Sequence, residues 1–430
     1  MAGLLGCAGM KQVVYDMPGG QVLGGGMSGM SITPGQPFEL ARTDRPMRHG
    51  DMSFPQIRRW GEYLVVAWST QGDNTMGAWF STDSNGVILR GIRTEIRSPI
   101  HSRDDGLTWS VGSPSHFMAA LTNVSAATYF LWNSHLPLAQ PLFNTIERAD
   151  GSLIGFNYFI RPVINGRDAV SFQAIGMGAE FRDNKWNQPF DVWFDFPDMD
   201  KSETAFAGFL SGWGAELDDG TLLMPIFTKS MFPYKLESPT MSKYSTLLLA
   251  STNNGQSFSI RAPIATPKNA PSGNDGPSEA GLVKLQDGTL MCIMRTGGLA
   301  GGDRIKDSQS MLVSRSTDGG FTWSRPTALR RGVFPVLRQL QNGVLVCVYG
   351  RPGNYIMFSN DNGRTWARTI NLTAPQVPTS GYVDMYEVSP GRLLVVYDER
   401  EYQPPGEKMW HSSQGYNVVM GRFFDVSVSP

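Results

Sequence analysis

The chain has 430 residues, of which 41% are hydrophobic and 17% are charged, and its formal net charge is -1 at pH 7. Positive and negative charges nearly cancel and no long basic run occurs, which argues against nucleic acid or an acidic membrane surface as the main partner. No run of about 18 apolar residues occurs, so the sequence predicts no membrane-spanning helix. The 48 glycines and 28 prolines favour many short strands joined by turns.

The three cysteines are too few for a disulfide framework. Cys7 stands in LLGCAG, which is similar to the cleavage site of a bacterial lipoprotein signal without its charged start. That reading predicts a lipid anchor at Cys7 and an exported protein, whether periplasmic, cell-surface or secreted. The alternative is an apolar stub over residues 1–10. Cys292 and Cys347 lie in apolar runs and are predicted to be buried free thiols.

Six segments along the chain read as a strand, a tight glycine turn and a nearly continuous apolar strand. They span 54–68, 143–159, 212–227, 280–295, 335–351 and 383–399. Strands so uniformly apolar are expected to be covered on both faces. Six such hairpins predict one all-β domain over 11–430, a six-bladed β-propeller of four-stranded antiparallel blades.

Two other stretches complete this prediction. Residues 111–142, between the first two hairpins, are interpreted as an elaborated loop or an extra hairpin. The candidate strand 416–429 is predicted to pair with 11–17, because closing a ring removes exposed sheet edges.

A loop with the pattern Ser-x-Asp-x-Gly-x-Thr-Trp recurs between the hairpins. It reads SRDDGLTWS at 102–110, STDGGFTWS at 316–324 and SNDNGRTWA at 359–367, with weaker copies at 251–259 and 81–86. Its aspartate can accept hydrogen bonds from the amides of its own turn, its glycine supplies a positive φ, and its tryptophan can fill the seam beside the next strand. Repetition around a ring favours a structural role over catalysis by Asp104, Asp318 or Asp361.

This loop resembles the Asp-box repeat of the sialidase superfamily, in which the loops lie on the face opposite the active site. The resemblance implies that an arginine triad holds a substrate carboxylate, a Tyr–Glu pair supplies the nucleophile and an aspartate is the acid/base. It places the activating glutamate at Glu279 and the nucleophile at Tyr382. It places two triad arginines at Arg295 and Arg351, and an arginine-steadying acid at Asp398 or else Glu399.

The chemistry of this set is coherent. Guanidinium groups bind a planar carboxylate through paired hydrogen bonds. A carboxylate nucleophile would repel a sugar acid, so a tyrosine deprotonated by a neighbouring glutamate is the better attacking group, and sialidases are known exceptions to the two-carboxylate scheme. The glutamate is needed because tyrosine has a pKa near 10.

The first hairpin departs from the family pattern. MSFPQIRRW has Phe54 before its proline, where the family has an Arg-Ile-Pro or Arg-Leu-Pro motif. Arg48 is the candidate substitute for the first triad arginine, while Arg58 and Arg59 are expected to point along the strand or to solvent. The acid/base is expected at Asp73, with Asp51 second.

His49 and His101 open an alternative. A histidine in RHGD, near the mouth of the ring, would suit a proton shuttle of the kind used by propeller enzymes that cleave uronic-acid polysaccharides by elimination.

The sequence thus predicts an exo-acting glycoside hydrolase on an acidic sugar, a retaining exo-α-sialidase first. The alternatives are a propeller hydrolase or lyase on another glycan, with His49 or Asp51 in the catalytic set, and a non-catalytic glycan-binding propeller. The five histidines are scattered and form no metal motif, and the expected reaction needs no cofactor.

Overall fold

The computed structural model describes residues 29–42, 53–69, 100–111, 144–156, 159–163, 172–187, 190–196, 208–210, 212–228, 243–270, 275–297, 310–367, 369–374, 377–402 and 414–429. Within these ranges the regular structure is entirely β-strand. No helix there is long and apolar enough to cross a membrane.

The strands are numbered in chain order. The first fourteen are β1 (Met30–Pro34), β2 (Phe38–Arg42), β3 (Ser53–Trp60), β4 (Tyr63–Ser69), β5 (Ile100–Ser102), β6 (Ser110–Val111), β7 (Asn144–Glu147), β8 (Leu153–Phe156), β9 (Phe159–Val163), β10 (Phe172–Arg182), β11 (Lys185–Trp186), β12 (Phe190–Phe196), β13 (Gly208–Leu210) and β14 (Ala215–Glu216). The others are β15 (Leu222–Thr228), β16 (Ser245–Ser251), β17 (Ser257–Ala265), β18 (Ser278–Lys284), β19 (Leu290–Arg295), β20 (Ser310–Ser316), β21 (Thr327–Arg331), β22 (Val333–Gln339), β23 (Leu345–Gly350), β24 (Asn354–Ser359), β25 (Ile370–Asn371), β26 (Val383–Ser389), β27 (Arg392–Tyr402) and β28 (Gln414–Val428).

All six predicted hairpins are present as antiparallel pairs. They are β3–β4, β7–β8, β14–β15, β18–β19, β22–β23 and β26–β27. The second strands β15, β19 and β23 are buried along their whole length. A strand covered on both faces has no polar alternation, which explains the continuous apolar runs of the sequence.

The hairpins belong to sheets of unequal size. Three sheets are four-stranded: β3 to β6, β18 to β21 and β22 to β25, each in chain order. An eleven-stranded sheet holds both β7–β8 and β14–β15, because β9 pairs with β13 and β12 pairs in parallel with β17. The prediction of separate four-stranded blades therefore fits these three sheets but not the connected sheet of the second and third hairpins.

The fifth sheet joins the two ends of the described chain. It contains β26, β27 and β28, with both β1 and β2 paired to the far side of β28. The predicted partner of β28, residues 11–17, lies outside the described residues. The side of β28 that it would need is occupied by β1 and β2, so the predicted pairing is replaced by these two strands.

Six buried apolar clusters fill the spaces between successive hairpins. In order they join β3–β4 to β7–β8, β7–β8 to β14–β15, β14–β15 to β18–β19, β18–β19 to β22–β23, β22–β23 to β26–β27, and β26–β27 back to β3–β4. Burial of a large apolar side chain contributes about 1.5–3 kcal/mol, so these layers are the main source of stability. Cys292 and Cys347 lie in two of them as free buried thiols, as predicted, and burial raises the pKa of both thiols.

The strand register shows which residues lie at each of the two ends of a hairpin. Ser278 pairs with Arg295 where β18 begins and β19 finishes. Leu290, at the start of β19, pairs with Ser316, where β20 enters its tryptophan loop. At the rise of an antiparallel strand, Leu290 and Arg295 lie roughly 17 Å apart. The tryptophan loops are therefore at the opposite end of the strands from Arg295.

Candidate functional site

The tryptophan loops use their carboxylates internally. Asp104 accepts hydrogen bonds from the hydroxyl of Ser102 at 2.7 Å and from the amide and hydroxyl of Thr108 at 2.8 and 2.6 Å. Trp109 donates its indole N–H to the carbonyl of Gly106 at 3.0 Å. The same carboxylate contacts recur around Asp318 and Asp361. This geometry and the position of the loops support the predicted structural role.

At the other end of the strands, three hairpins begin with the same backbone distortion. β3, β18 and β22 each contain a register shift near their start. The second residue of each strand has a positive φ: 54° at Phe54, 39° at Glu279 and 46° at Phe334. Such a conformation costs a non-glycine residue about 1–3 kcal/mol and is concentrated at functional sites. All three side chains reach one residue, Tyr382.

Tyr382 opens the sixth hairpin and forms the centre of the site. Its Oη donates a hydrogen bond to Oε1 of Glu279 at 3.0 Å. Arg295 donates from Nη1 to the same Oε1 at 2.6 Å, forming an ion pair. Tyr382 and Arg295 are buried and Glu279 is largely so. The second oxygen, Oε2, is buried and has no hydrogen-bond partner among the described residues.

Arg351 contacts the same tyrosine from the fifth hairpin. Its Nη2 lies 3.3 Å from Oη of Tyr382, and its Nε donates to the carbonyl of Ser380 at 3.2 Å. The guanidinium carbon is 5.3 Å from the centroid of the Tyr382 ring. Gly381 permits this packing: its φ is 76°, and a Cβ there would lie 2.5 Å from Cγ of Arg351.

Asp398 lies beneath this group rather than at its surface. It is 1% exposed, and its carboxylate accepts hydrogen bonds from the amide and the hydroxyl of Ser380. Arg400 lies 3.5 Å from the carboxylate. Burial raises the pKa of Asp398, against the opposing effects of Arg400 and Ser380. Asp398 thus braces the segment whose Ser380 carbonyl accepts a hydrogen bond from Arg351, and its place among the substrate-binding residues stays a prediction. The alternative acid, Glu399, is half-buried, and burial and the Asp398 charge raise its pKa to about 7.

Four of the predicted site residues are thus brought together: Glu279, Arg295, Arg351 and Tyr382. Arg48, His49, Asp51 and Asp73 lie outside the described residues. His101 lies on β5 with its ring against Tyr63, the residue that follows the turn of the first hairpin, and so at the loop end of the strands.

Two phenylalanines complete the surroundings of Tyr382. The ring centroid of Phe54 lies 3.7 Å from that of Tyr382 at an interplanar angle of 32°, and Phe334 lies at 4.8 Å and 64°. Sequence reasoning noticed Phe54 only as a missing arginine and overlooked Phe334. The signal was present, because SFPQIRR and VFPVLRQ repeat a Phe-Pro pair at the start of two hairpins.

A buried ion pair that the sequence reasoning also missed joins the first and sixth hairpins. Arg58 is 3% exposed and pairs with Asp384. Asp384 also accepts hydrogen bonds from the amide of Ile57 and the indole of Trp213, both at 3.2 Å. The expectation that Arg58 points along the strand or to solvent is wrong; burial lowers its pKa despite the nearby Asp384. This pair ties β3, which contains Phe54, to β26, which begins directly after Tyr382.

A cavity of about 590 Å³ lies at the loop end of the second, third, fourth and fifth hairpins. Charged side chains line it, but they pair within the protein: Arg338 with Glu147, Lys284 with Asp218 and Arg148 with Glu180. Among the described residues no group of three or more His, Cys, Asp or Glu could hold a metal ion.

Comparison with known proteins agrees with the fold. Residues 218–407 match a family model described as a BNR repeat-like domain. No curated protein sequence matches the chain. A protein of unknown function from Dyadobacter fermentans has a TM-score of 0.57 and 16% identity, over 92% of this chain and 99% of that chain. The Hadza microbial sialidase Hz136 has a TM-score of 0.50 and 15% identity, over 88% of this chain and 66% of that one.

Identities this low show a shared fold and leave the reaction open. Residues 218–407 thus match a BNR repeat-like domain, and the fold of the chain is similar to that of a sialidase.

Proposed function

We propose that this protein is a retaining exo-glycoside hydrolase that acts on an acidic sugar, most simply an exo-α-sialidase. The carrying observation is that Oη of Tyr382 is 3.0 Å from a carboxylate oxygen of Glu279 and 3.3 Å from Nη2 of Arg351. A nucleophile in contact with both a base and a cation is the arrangement that an activated hydroxyl requires.

The same proposal includes a six-bladed β-propeller as the scaffold. Its support is the series of six apolar layers, in which the last hairpin packs against the first. A closed ring directs the starts of all six first strands to one mouth. Tyr382, Glu279 and Phe54 stand at three such starts, although they are far apart in the sequence.

In the proposed reaction, Glu279 accepts the Oη proton of Tyr382 while Oη bonds to the anomeric carbon. The bond to the leaving group breaks, and Asp73 gives its proton to the leaving oxygen. Water then attacks the anomeric carbon as Asp73 takes its proton. The bond to Tyr382 breaks, and Glu279 returns the proton to Oη. Covalent retaining mechanisms of this kind divide one difficult step into two.

Arg295 and Arg351 serve two purposes in this scheme. Arg295 forms an ion pair with Oε1 of Glu279 and so holds that carboxylate against Oη of Tyr382. Arg351 stabilises the negative charge that develops on Oη as the proton leaves. Both guanidiniums, with Arg48 as a third, are proposed to bind the carboxylate of the sugar.

One observation favours a second candidate. Buried Phe54 packs on Tyr382 at the strand start where the resemblance implies the first substrate arginine. An apolar ring in that place supports the alternative of a propeller hydrolase or lyase on another glycan, with His49 or Asp51 in the catalytic set.

The test is hydrolysis of a fluorogenic sialoside by the wild type, Tyr382→Phe and the control Tyr397→Phe. Tyr397 belongs to the same apolar cluster, and its Oη has no hydrogen-bond partner among the described residues. We expect Tyr382→Phe to lose at least 10³-fold in kcat, and Tyr397→Phe to keep its activity. A fluorinated sialosyl fluoride should leave a covalent adduct on Tyr382, read by peptide mass.

Incubation with sialyllactose and with uronic-acid oligosaccharides separates the candidates. A released sialic acid supports the first, and an unsaturated uronic product supports a lyase. Full activity of Tyr382→Phe on the sialoside would contradict the proposed mechanism. Binding of these glycans without any product would indicate a glycan-binding propeller.

A further inference from the structure

We propose that Phe54 and Phe334 are positioning residues that hold the ring of Tyr382 where its Oη meets Glu279 and Arg351. This inference rests on the proposed function, because it assigns the two rings to the same nucleophile.

The three aromatic rings form one compact group. Phe54 lies over the Tyr382 ring with the centroids 3.7 Å apart, and Phe334 stands more steeply at 4.8 Å. Phe54 and Phe334 are themselves 6.3 Å apart and nearly perpendicular, at 88°. These distances show that Phe334 and Phe54 do not lie on opposite faces of the Tyr382 ring; Phe334 lies to the side of it. One phenylalanine covers a face of Tyr382 and the other limits its tilt.

The backbone conformation at Phe54 and Phe334 supports a functional role for these contacts. Phe54 and Phe334 occupy the same strand position as Glu279, and all three residues have a positive φ next to a register shift. Three hairpins thus use one distorted position to reach Tyr382, once with the base and twice with an aromatic ring. Conformations of this kind persist only where the surroundings fix them.

The chemistry explains why the orientation matters. The reactive oxygen is at the tip of a long side chain, so a small tilt of the ring moves Oη away from Glu279. A misplacement of about 1 Å can cost about 100-fold in rate. Offset and edge-on aromatic contacts limit the movement of the Tyr382 ring without placing a polar group against it. The polar contacts to Glu279 and Arg351 then act on Oη alone.

The experiment compares Phe54→Leu, Phe334→Leu and the double variant with Phe358→Leu. Phe358 is fully buried in the same apolar cluster and pairs with Phe424, so it controls for the loss of a core ring. We expect kcat to fall about 10–100-fold in the site variants while KM changes less than about threefold. Phe54→Tyr, which keeps the ring, should recover most of the rate.

A readout that does not depend on turnover is the fluorine spectrum of 3-fluorotyrosine placed at position 382. The site variants should broaden or split its signal, whereas Phe358→Leu should leave it unchanged. Site variants that lose no more kcat than Phe358→Leu and keep the wild-type fluorine spectrum would overturn the inference. If the wild type cleaves no glycoside, the proposed function fails and the fluorine spectrum alone decides whether the rings position Tyr382.

Discussion

Glu279 and Tyr382 stand 103 positions apart in the chain, yet a hydrogen bond of 3.0 Å joins their side chains. Each residue is at the start of the first strand of its hairpin, and the ring of apolar layers brings these starts together. The contact therefore depends on how the fourth, fifth and sixth hairpins pack against one another, and not on either hairpin alone.

Glu279→Gln should keep the shape of this contact while removing the base. An amide cannot accept the Oη proton, so we expect kcat on a fluorogenic sialoside to fall about 10²–10⁴-fold. The matched control is Glu216→Gln, since Glu216 accepts a backbone amide at the loop end of the strands. Equal kcat values for the two variants would exclude Glu279 as the base.

Breaking the Arg58–Asp384 pair should destabilise the protein strongly. Both side chains are 4% exposed, and removing one partner leaves a buried charge, which costs about 3–5 kcal/mol. Urea unfolding of Asp384→Leu measures this. The double variant Arg58→Met/Asp384→Leu should recover most of the loss, because an apolar pair replaces an ionic one. A double variant less stable than the single one would contradict this account.

Acid should weaken the tryptophan loops. Hydrogen bonds from Thr108 and Ser102 lower the pKa of Asp104 from 3.8 to about 2, and the equivalent bonds lower the pKa of Asp318. A folded pKa below the unfolded one means that this stability is present above about pH 4 and is lost as the pH falls toward 2. Thermal unfolding between pH 5 and 2 measures the loss.

The weaker copy of the tryptophan loop, at 251–259, supplies the control for this titration. There Asn253 takes the aspartate position and makes the equivalent contacts with Ser251 and Ser257 without a charge. Asp104→Asn and Asp318→Asn should flatten the acid dependence, while Asn253→Asp should steepen it. An unchanged slope in all three variants would show that these carboxylates do not govern acid unfolding.

Gly381→Ala should damage both stability and activity. The left-handed backbone alone costs roughly 1–2 kcal/mol for a residue with a Cβ, and the new atom would also press on Arg351. Gly151→Ala is the control, because Gly151 has a φ of 81° and open space around its Cβ position. Both variants should unfold earlier, but only Gly381→Ala should lose sialoside hydrolysis. Loss of activity in both would point to a global effect.

The local features of this protein could be predicted from its sequence. Each hairpin is marked by its turn glycine and its continuous apolar strand, and each tryptophan loop by Ser, Asp, Gly and Thr that bond to one another within a few residues. Cys292 and Cys347 were predictable for the same reason, since the apolar run around each thiol is local. The candidates Glu279, Arg295, Arg351 and Tyr382 came from a resemblance, and the structure shows them in contact.

What the tertiary structure decided is how distant strands meet. The repeated Phe-Pro pair marks Phe334 in the sequence but does not show that its ring meets Tyr382. Arg58 was expected to point along the strand or to solvent, because its ion pair with Asp384 joins residues far apart in the chain. The joining of the second and third hairpins into one sheet, and the choice of β1 and β2 as partners of β28, likewise depend on pairings between remote segments. Turn chemistry and strand periodicity are set by neighbouring residues, whereas side-chain convergence is set by the packing that closes the ring.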